Sequence, residues 1–315
     1  MLGRIFLAFA VACAGLMAAD MALARWTSAT QMEEGRAQLG AVAIGDLIYV
    51  AGGTSLTGPV TSFDSFDPIG EDWRPLPPMP EGLQHFGMAA IGKSVIVAGG
   101  YSTAHPDSPG SHAWIFDVQS AQWRRIADLP APRAGLALVA VNDTVYAVGG
   151  LGASARQSYR YDVAGNKWIA AFSPLPEERS GHAAVAVGNK IFVIGGQPPG
   201  GKAASDVFVL DTVHGSWSEG PKLPVALSGH TAAVLDGVIH VAGGAAPPAM
   251  KTSAAHYVLD PGKGGWTEAA NMITPRQGMA SAVVRGKWYV FGGSAGFGFF
   301  SAFTPSDAVE IYTSN

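Results

Sequence analysis

RSGHAAVAVGNKIFVIGGQPPGGKAASDVFVLDTVHGSWSEGPKLP, residues 179–224, decides the fold. Short apolar runs alternate with Gly, Asn, Pro and Asp turn signals, which predicts four strands. These are His182–Val187, Ile191–Gly195 across a Gly188-Asn189 turn, Val207–Leu210, and a fourth around Trp217. A four-stranded antiparallel meander of this kind is one blade of a propeller.

The same phrase recurs along the chain. IYVAGG, VIVAGG, VYAVGG, IFVIGG, IHVAGG and WYVFGG end in doublets at 52-53, 99-100, 149-150, 195-196, 243-244 and 292-293, in steps of 46 to 50 residues. A fixed period of this length signals a repeat architecture. With 48% hydrophobic residues and few amphipathic helical patterns in 315 residues, the chain reads as one all-β array. Its blades begin near 36, 83, 133, 179, 227 and 276. Glycine suits the doublets because blades crowd there and because it tolerates positive φ. The Trp that follows each of the first five doublets is expected to cover the blade's side, against a second-strand residue such as Tyr49 or Phe192.

The doublets, the Asp after the third strand (Asp67, Asp117, Asp162, Asp211, Asp260) and the spaced Trp (Trp73, Trp123, Trp168, Trp217, Trp266) together resemble the Kelch repeat over residues 25–315. That resemblance implies a six-bladed Kelch β-propeller. The sixth repeat stops after its third strand, AVEIY, without a Trp. Trp26 stands where the outer Trp of a preceding repeat would stand. Arg25–Thr30 is therefore expected to complete the last blade beside Ala308–Tyr312, removing an exposed edge.

Residues 1–24 read as a signal peptide: Arg4, an apolar stretch from Ile5 to Ala19, then the small-x-small Ala22-Leu23-Ala24. Cleavage after Ala24 predicts a periodic domain over 25–315 in the periplasm or outside the cell. Retention as an anchor and lipidation at Cys13 are the alternatives. Cys13 is the single cysteine, so a cleaved chain would have no disulfide and no thiolate metal site. A net charge of −4 without a basic run argues against nucleic acid, and no basic amphipathic helix argues for membrane insertion of the mature domain. A monomer is expected.

Sixteen residues before each doublet stand Arg36, Leu83, Arg133, Arg179, Leu227 and Arg276. In an up-and-down blade, the link into the first strand and the link after the second share one face. The four arginines are thus expected to line the channel mouth and to bind an anionic small molecule, glycan, peptide or protein. Tyr101, Arg156 and Phe299, in the links after the second strands, would complete the site. The alternative for the arginines is structural pairing with Glu34 or Glu177, two residues earlier; Glu81 precedes Leu83 in the same way. His182 and His230 are read as inward packing residues.

Arginines at this register resemble those of Kelch adaptors that grip acidic peptides, which implies an exported, non-catalytic binding module. The alternative is a sugar-acid mutarotase, since the leader, size and blade count also resemble periplasmic sialic acid mutarotases. Such chemistry needs an acid/base, for which Glu34, Glu81, Glu177 and Glu178 are candidates, beside a cation. The Kelch copper radical oxidases require a cysteine that the mature chain lacks. His105, Asp107 and His112 offer weak spacing for a metal such as iron, so no metal or other cofactor is expected.

Overall fold

The computed structural model describes residues 24–102, 107–246, 251–296, 301 and 303–314. The leader expected over 1–24, with Cys13, lies outside the described residues except for Ala24. Five four-stranded antiparallel sheets span residues 40–75, 87–126, 137–171, 183–219 and 231–268, each in sequence order. The sixth spans 280–313 and takes Arg25–Ser28 as its outer strand. In the fourth blade the strands are Ala183–Val187, Lys190–Ile194, Val207–Asp211 and Ser216–Glu219, within a residue or two of the expectation. The first strands contact one another in cyclic order, the sixth meeting the first, so the ring closes around an axis.

Packing follows from that closure. Each second strand is covered on both faces by neighbouring blades, so Ile48, Val50, Val95, Val97, Val193 and Ile194 are fully buried. Six apolar clusters fill the six gaps between blades. First strands face the axis and are accordingly built from small residues, as in Ala183–Val187 and Thr231–Leu235.

The glycine doublets rivet the blades. The second glycine donates its N–H to the carbonyl of the register residue in the next blade. Gly53 bonds Leu83, Gly100 bonds Arg133, Gly150 bonds Arg179, Gly196 bonds Leu227, Gly244 bonds Arg276 and Gly293 bonds Arg36, at 2.8–2.9 Å. All twelve doublet glycines have positive φ, and a Cβ on Gly52 would stand 2.8 Å from the Leu83 carbonyl oxygen. Both the twist and the closeness require glycine.

The Trp residues staple each blade to the one before it. The indole N–H groups of Trp73, Trp123, Trp168, Trp217, Trp266 and Trp26 donate to the carbonyls of Thr30, Pro77, Ala127, Ser173, Pro221 and Ala270, at 2.7–3.1 Å. Their ring partners correct the expectation in part: Trp26 does pack on Trp288 of the second strand, 5.2 Å between centroids, but for three others a third strand supplies the nearest ring. Trp73, Trp123 and Trp168 pack on Phe66, Phe116 and Tyr161 of the third strand, 4.9–5.1 Å between centroids. These residues sit directly across the hairpin from the Trp, where cross-strand side chains meet. Tyr49 and Phe192 join clusters that face the following blade, and Trp123 and Trp266 also pack against these clusters. Each repeat Asp caps the same hairpin: Asp67 accepts from the Ile69 N–H and Asp211 from those of Val213 and His214.

The seam is as expected. Trp26 pairs with Tyr312 and Thr27 with Ile311, so the edge of Val309–Thr313 is covered by residues from the other end of the chain.

Candidate functional site

Two residues beyond each register position the backbone turns left-handed. Gln38, His85, Gly135, Gly181, Gly229 and Gly278 have φ between 54° and 68°. Their peptides form a ring around the axis: the N–H groups of Gln38, His85, Gly135, Gly229 and Gly278 donate to the carbonyls of Gly278, Gln38, His85, Gly181 and Gly229, at 2.7–3.1 Å. This ring narrows the channel and puts backbone, not arginine, at its mouth.

The register arginines therefore turn away from the mouth, into the blades, which corrects the expectation that they line it. Arg36, Arg133, Arg179 and Arg276 are at most 2% exposed. Each donates to the first glycine of its own blade's doublet, Gly52, Gly149, Gly195 or Gly292. Arg36 also pairs with Asp64 at 2.8 Å and Arg276 with the buried Glu310 at 3.0 Å. Arg179 pairs with Glu177 and lies 4.5 Å from the Phe208 centroid. Arg133 has three carbonyl acceptors, those of Gly149, Ser154 and Gln157, and the Tyr159 ring at 4.9 Å. Burial draws the pKa of Arg133, Arg179 and Arg276 down, as desolvation of a cation must. These are braces across the interior of each blade.

Above the ring lies a cavity of about 380 Å³, within the usual range for a small-ligand site. Gln38, His85, Tyr101, Ser180, Gln197, Ser228 and Gln277 line it, with small residues such as Ala134 and Ala245. Both kinds of link contribute, so the cavity is on the face the meander designates. His85 packs edge-on to Tyr101, 5.8 Å between centroids. Burial lowers its pKa to about 4, and its Nδ1 has no hydrogen-bond partner among the described residues. At neutral pH the described lining carries no charge. It offers hydroxyls, carboxamides and one neutral imidazole, which donate and accept hydrogen bonds without choosing a sign.

Of the expected site residues that are described, Tyr101 alone is on this lining. Arg156 is exposed outside the cavity and donates from Nε to the Leu175 carbonyl at 2.7 Å. Phe299 and His105 lie outside the described residues. None of Glu34, Glu81, Glu177 and Glu178 lines the cavity. His112 is bound to Glu81 at 3.0 Å, and no group of three metal-ligating side chains occurs among the described residues. His182 and His230 fill the positions beneath the ring, packed over Gly149 and Gly195, where a Cβ would overlap their imidazoles. That agrees with a packing role.

Gln38 and His85 escaped the sequence reading, although a signal existed. Four repeats read Arg-Ala-Gly, Arg-Ser-Gly, Leu-Ser-Gly and Arg-Gln-Gly at this point; the first two read Arg-Ala-Gln and Leu-Gln-His. A glycine that four blades need at positive φ is replaced twice, in adjacent blades, by a residue that projects into the channel.

The comparisons agree with this architecture. The Kelch-repeats domain described for KLHDC2, KLHL20 and DRC7 matches residues 135–308, and the Kelch motif matches 35–80 and 83–130. No protein of curated function matches the sequence. A solved structure entitled "Structure of YjhT" superposes with a TM-score of 0.75 at 16% identity, covering 89% of this chain and 95% of that one, a likeness of fold. Repeated rivets, staples and capped hairpins, with a family match across more than half its length, make this chain a member of the Kelch-repeat family.

Proposed function

We propose that this propeller is a non-catalytic binding module whose ligand is an uncharged, hydroxyl-rich molecule of glycan type, held in the mouth cavity. The supporting observation is the lining itself: carboxamides and hydroxyls converge from five blades, and no described lining side chain is charged at neutral pH. Sugars are recognised by such sign-neutral donors and acceptors, with an aromatic edge such as Tyr101 for the apolar ring face. The leader-like residues 1–24 support export as part of the same reading.

The mutarotase reading asks the site for a cation to hold a sugar carboxylate and for a carboxylate or comparable base at the anomeric hydroxyl. The register arginines are buried in the blades, so the binding reading is preferred. Arrays carrying both neutral and acidic glycans test it. Neutral glycans should bind the wild type, and Gln197→Trp, a substitution at an exposed lining position, should abolish binding by filling the mouth.

A further inference from the structure

Blade two keeps the surroundings of a register arginine without the arginine. In blades one, three and six the guanidinium lies between the carbonyl of the doublet's first glycine and a carbonyl before the third strand, that of Ser62, Gln157 or Ala308. The amides of Gly52 and Gly292 bond the Ser62 and Ala308 carbonyls, and that of Gly99 bonds the His112 carbonyl. The blade-two counterparts are thus Gly99 and His112. Two residues after those carbonyls, and after that of Asp206, which the Gly195 amide bonds in blade four, stands the group that faces the guanidinium: Asp64, Tyr159, Phe208 or Glu310 in the four arginine blades, and Trp114 in blade two. Glu81 matches Glu177, which pairs with Arg179 in blade four. Leu83 stands where the arginine would be, and a cavity of about 190 Å³ remains, lined by Glu81, Leu83, Gly99, Ser111 and His112.

We propose that this cavity is a socket for a ligand that ends in a guanidinium group. The chain binds that group four times in its own interior with the same kinds of acceptor, so the chemistry of the site is read from the molecule itself. The space is several times the roughly 30 Å³ share of one water. Glu81 accepts from the Trp114 indole N–H at 2.8 Å through Oε1, and His112 Nδ1 lies 3.0 Å from Oε1 and 3.3 Å from Oε2. A carboxylate has about four acceptor positions, so these three contacts leave one open to a guanidinium N–H. The Glu81 side chain is 19% exposed and that of His112 42% exposed, so the socket opens to solvent. Arg125 lies 5.7 Å from the Trp114 centroid and is paired with Asp128 at the surface.

Blade five is the internal control. Leu227 also replaces an arginine there, but Val225 stands at the position of Glu81, so no carboxylate was kept. The socket is separate from the mouth cavity, which lies on the Tyr101 side of the link while Ser102 faces the socket.

Titration with methylguanidinium, well below denaturing concentrations, tests the proposal through the Trp114 indole N–H resonance, identified with Trp114→Phe. The expected result is a saturable shift that the uncharged isostere N-methylurea does not produce. Glu81→Gln should weaken methylguanidinium about tenfold or more, the value of a charge-assisted bond. Leu83→Arg should abolish the shift by filling the socket from within and should melt no lower than the wild type, whereas Leu227→Arg should melt lower. No saturable shift, an equal affinity in Glu81→Gln, or a Leu83→Arg protein that melts as low as Leu227→Arg would overturn the proposal.

Discussion

A buried guanidinium costs several kcal/mol of desolvation, and the four register arginines meet that cost in different ways. Arg276 has the buried carboxylate of Glu310, which also accepts from the Ile273 and Thr274 amides at 2.8 and 3.1 Å. Arg133 has carbonyls and a ring but no carboxylate partner among the described residues. Arg276→Met leaves Glu310 charged, buried and short of its partner, so it should lose about 3–5 kcal/mol in urea unfolding. Arg133→Met strands only neutral carbonyls and should lose less. Equal losses would contradict the distinction. The spacing of sixteen residues picked out these arginines as equivalent positions, but spacing does not say which way a side chain turns. The acceptors inside each blade, the carbonyls of Gly52, Gly149, Gly195 and Gly292, are what hold it inward, and they are not legible in the spacing.

At the scale of elements, the closing strand brings Trp26 against a pair of buried histidines. His256 Nδ1 lies 3.0 Å from the Ala270 carbonyl, so it carries the proton, and His256 Nε2 then accepts from His240 Nδ1 at 3.0 Å. Trp26, Trp288 and Tyr312 surround the pair. Burial lowers both pKa values to about 4, and it lowers those of His85 and His182 to about 4 and of His230 to about 3. The folded state thus holds these imidazoles neutral while the unfolded chain protonates them near 6.5. Between those values the unfolded state binds more protons, so stability is full above about pH 6.5 and falls as pH drops toward about 4. Each tenfold gap in proton affinity is worth about 1.4 kcal/mol. Melting temperature should therefore fall between pH 7 and pH 5, and less steeply in His240→Phe/His256→Leu; a flat profile in the wild type would contradict the buried neutral state. The strands themselves were legible because turn residues punctuate a period-two pattern. The Trp partners were legible only in part, because the nearest ring depends on cross-hairpin register, which the pattern leaves open by one strand.

At the scale of the whole molecule, the ring is one set of local devices repeated six times, and its weak point is the seam between the chain's two ends. Deleting residues through Ser28 removes a strand, the Trp26 staple and the cover over Val309–Thr313 together. The truncated protein should melt lower and associate through the bared edge in sedimentation. Six blades and their closure could be read from sequence because each blade repeats the same message, whereas a binding site is where the repeats differ, and two such differences, Gln38 and His85, pass as noise without a ring to place them in. In the proposed function the uncharged mouth, not the set of arginines, receives the ligand. The most direct measurement is glycan binding by the wild type and by Gln197→Trp, with neutral and acidic glycans side by side. Neutral glycans should bind, and Gln197→Trp should abolish that binding at an unchanged melting temperature; binding confined to acidic glycans, or binding that survives the filled mouth, would contradict the proposed function.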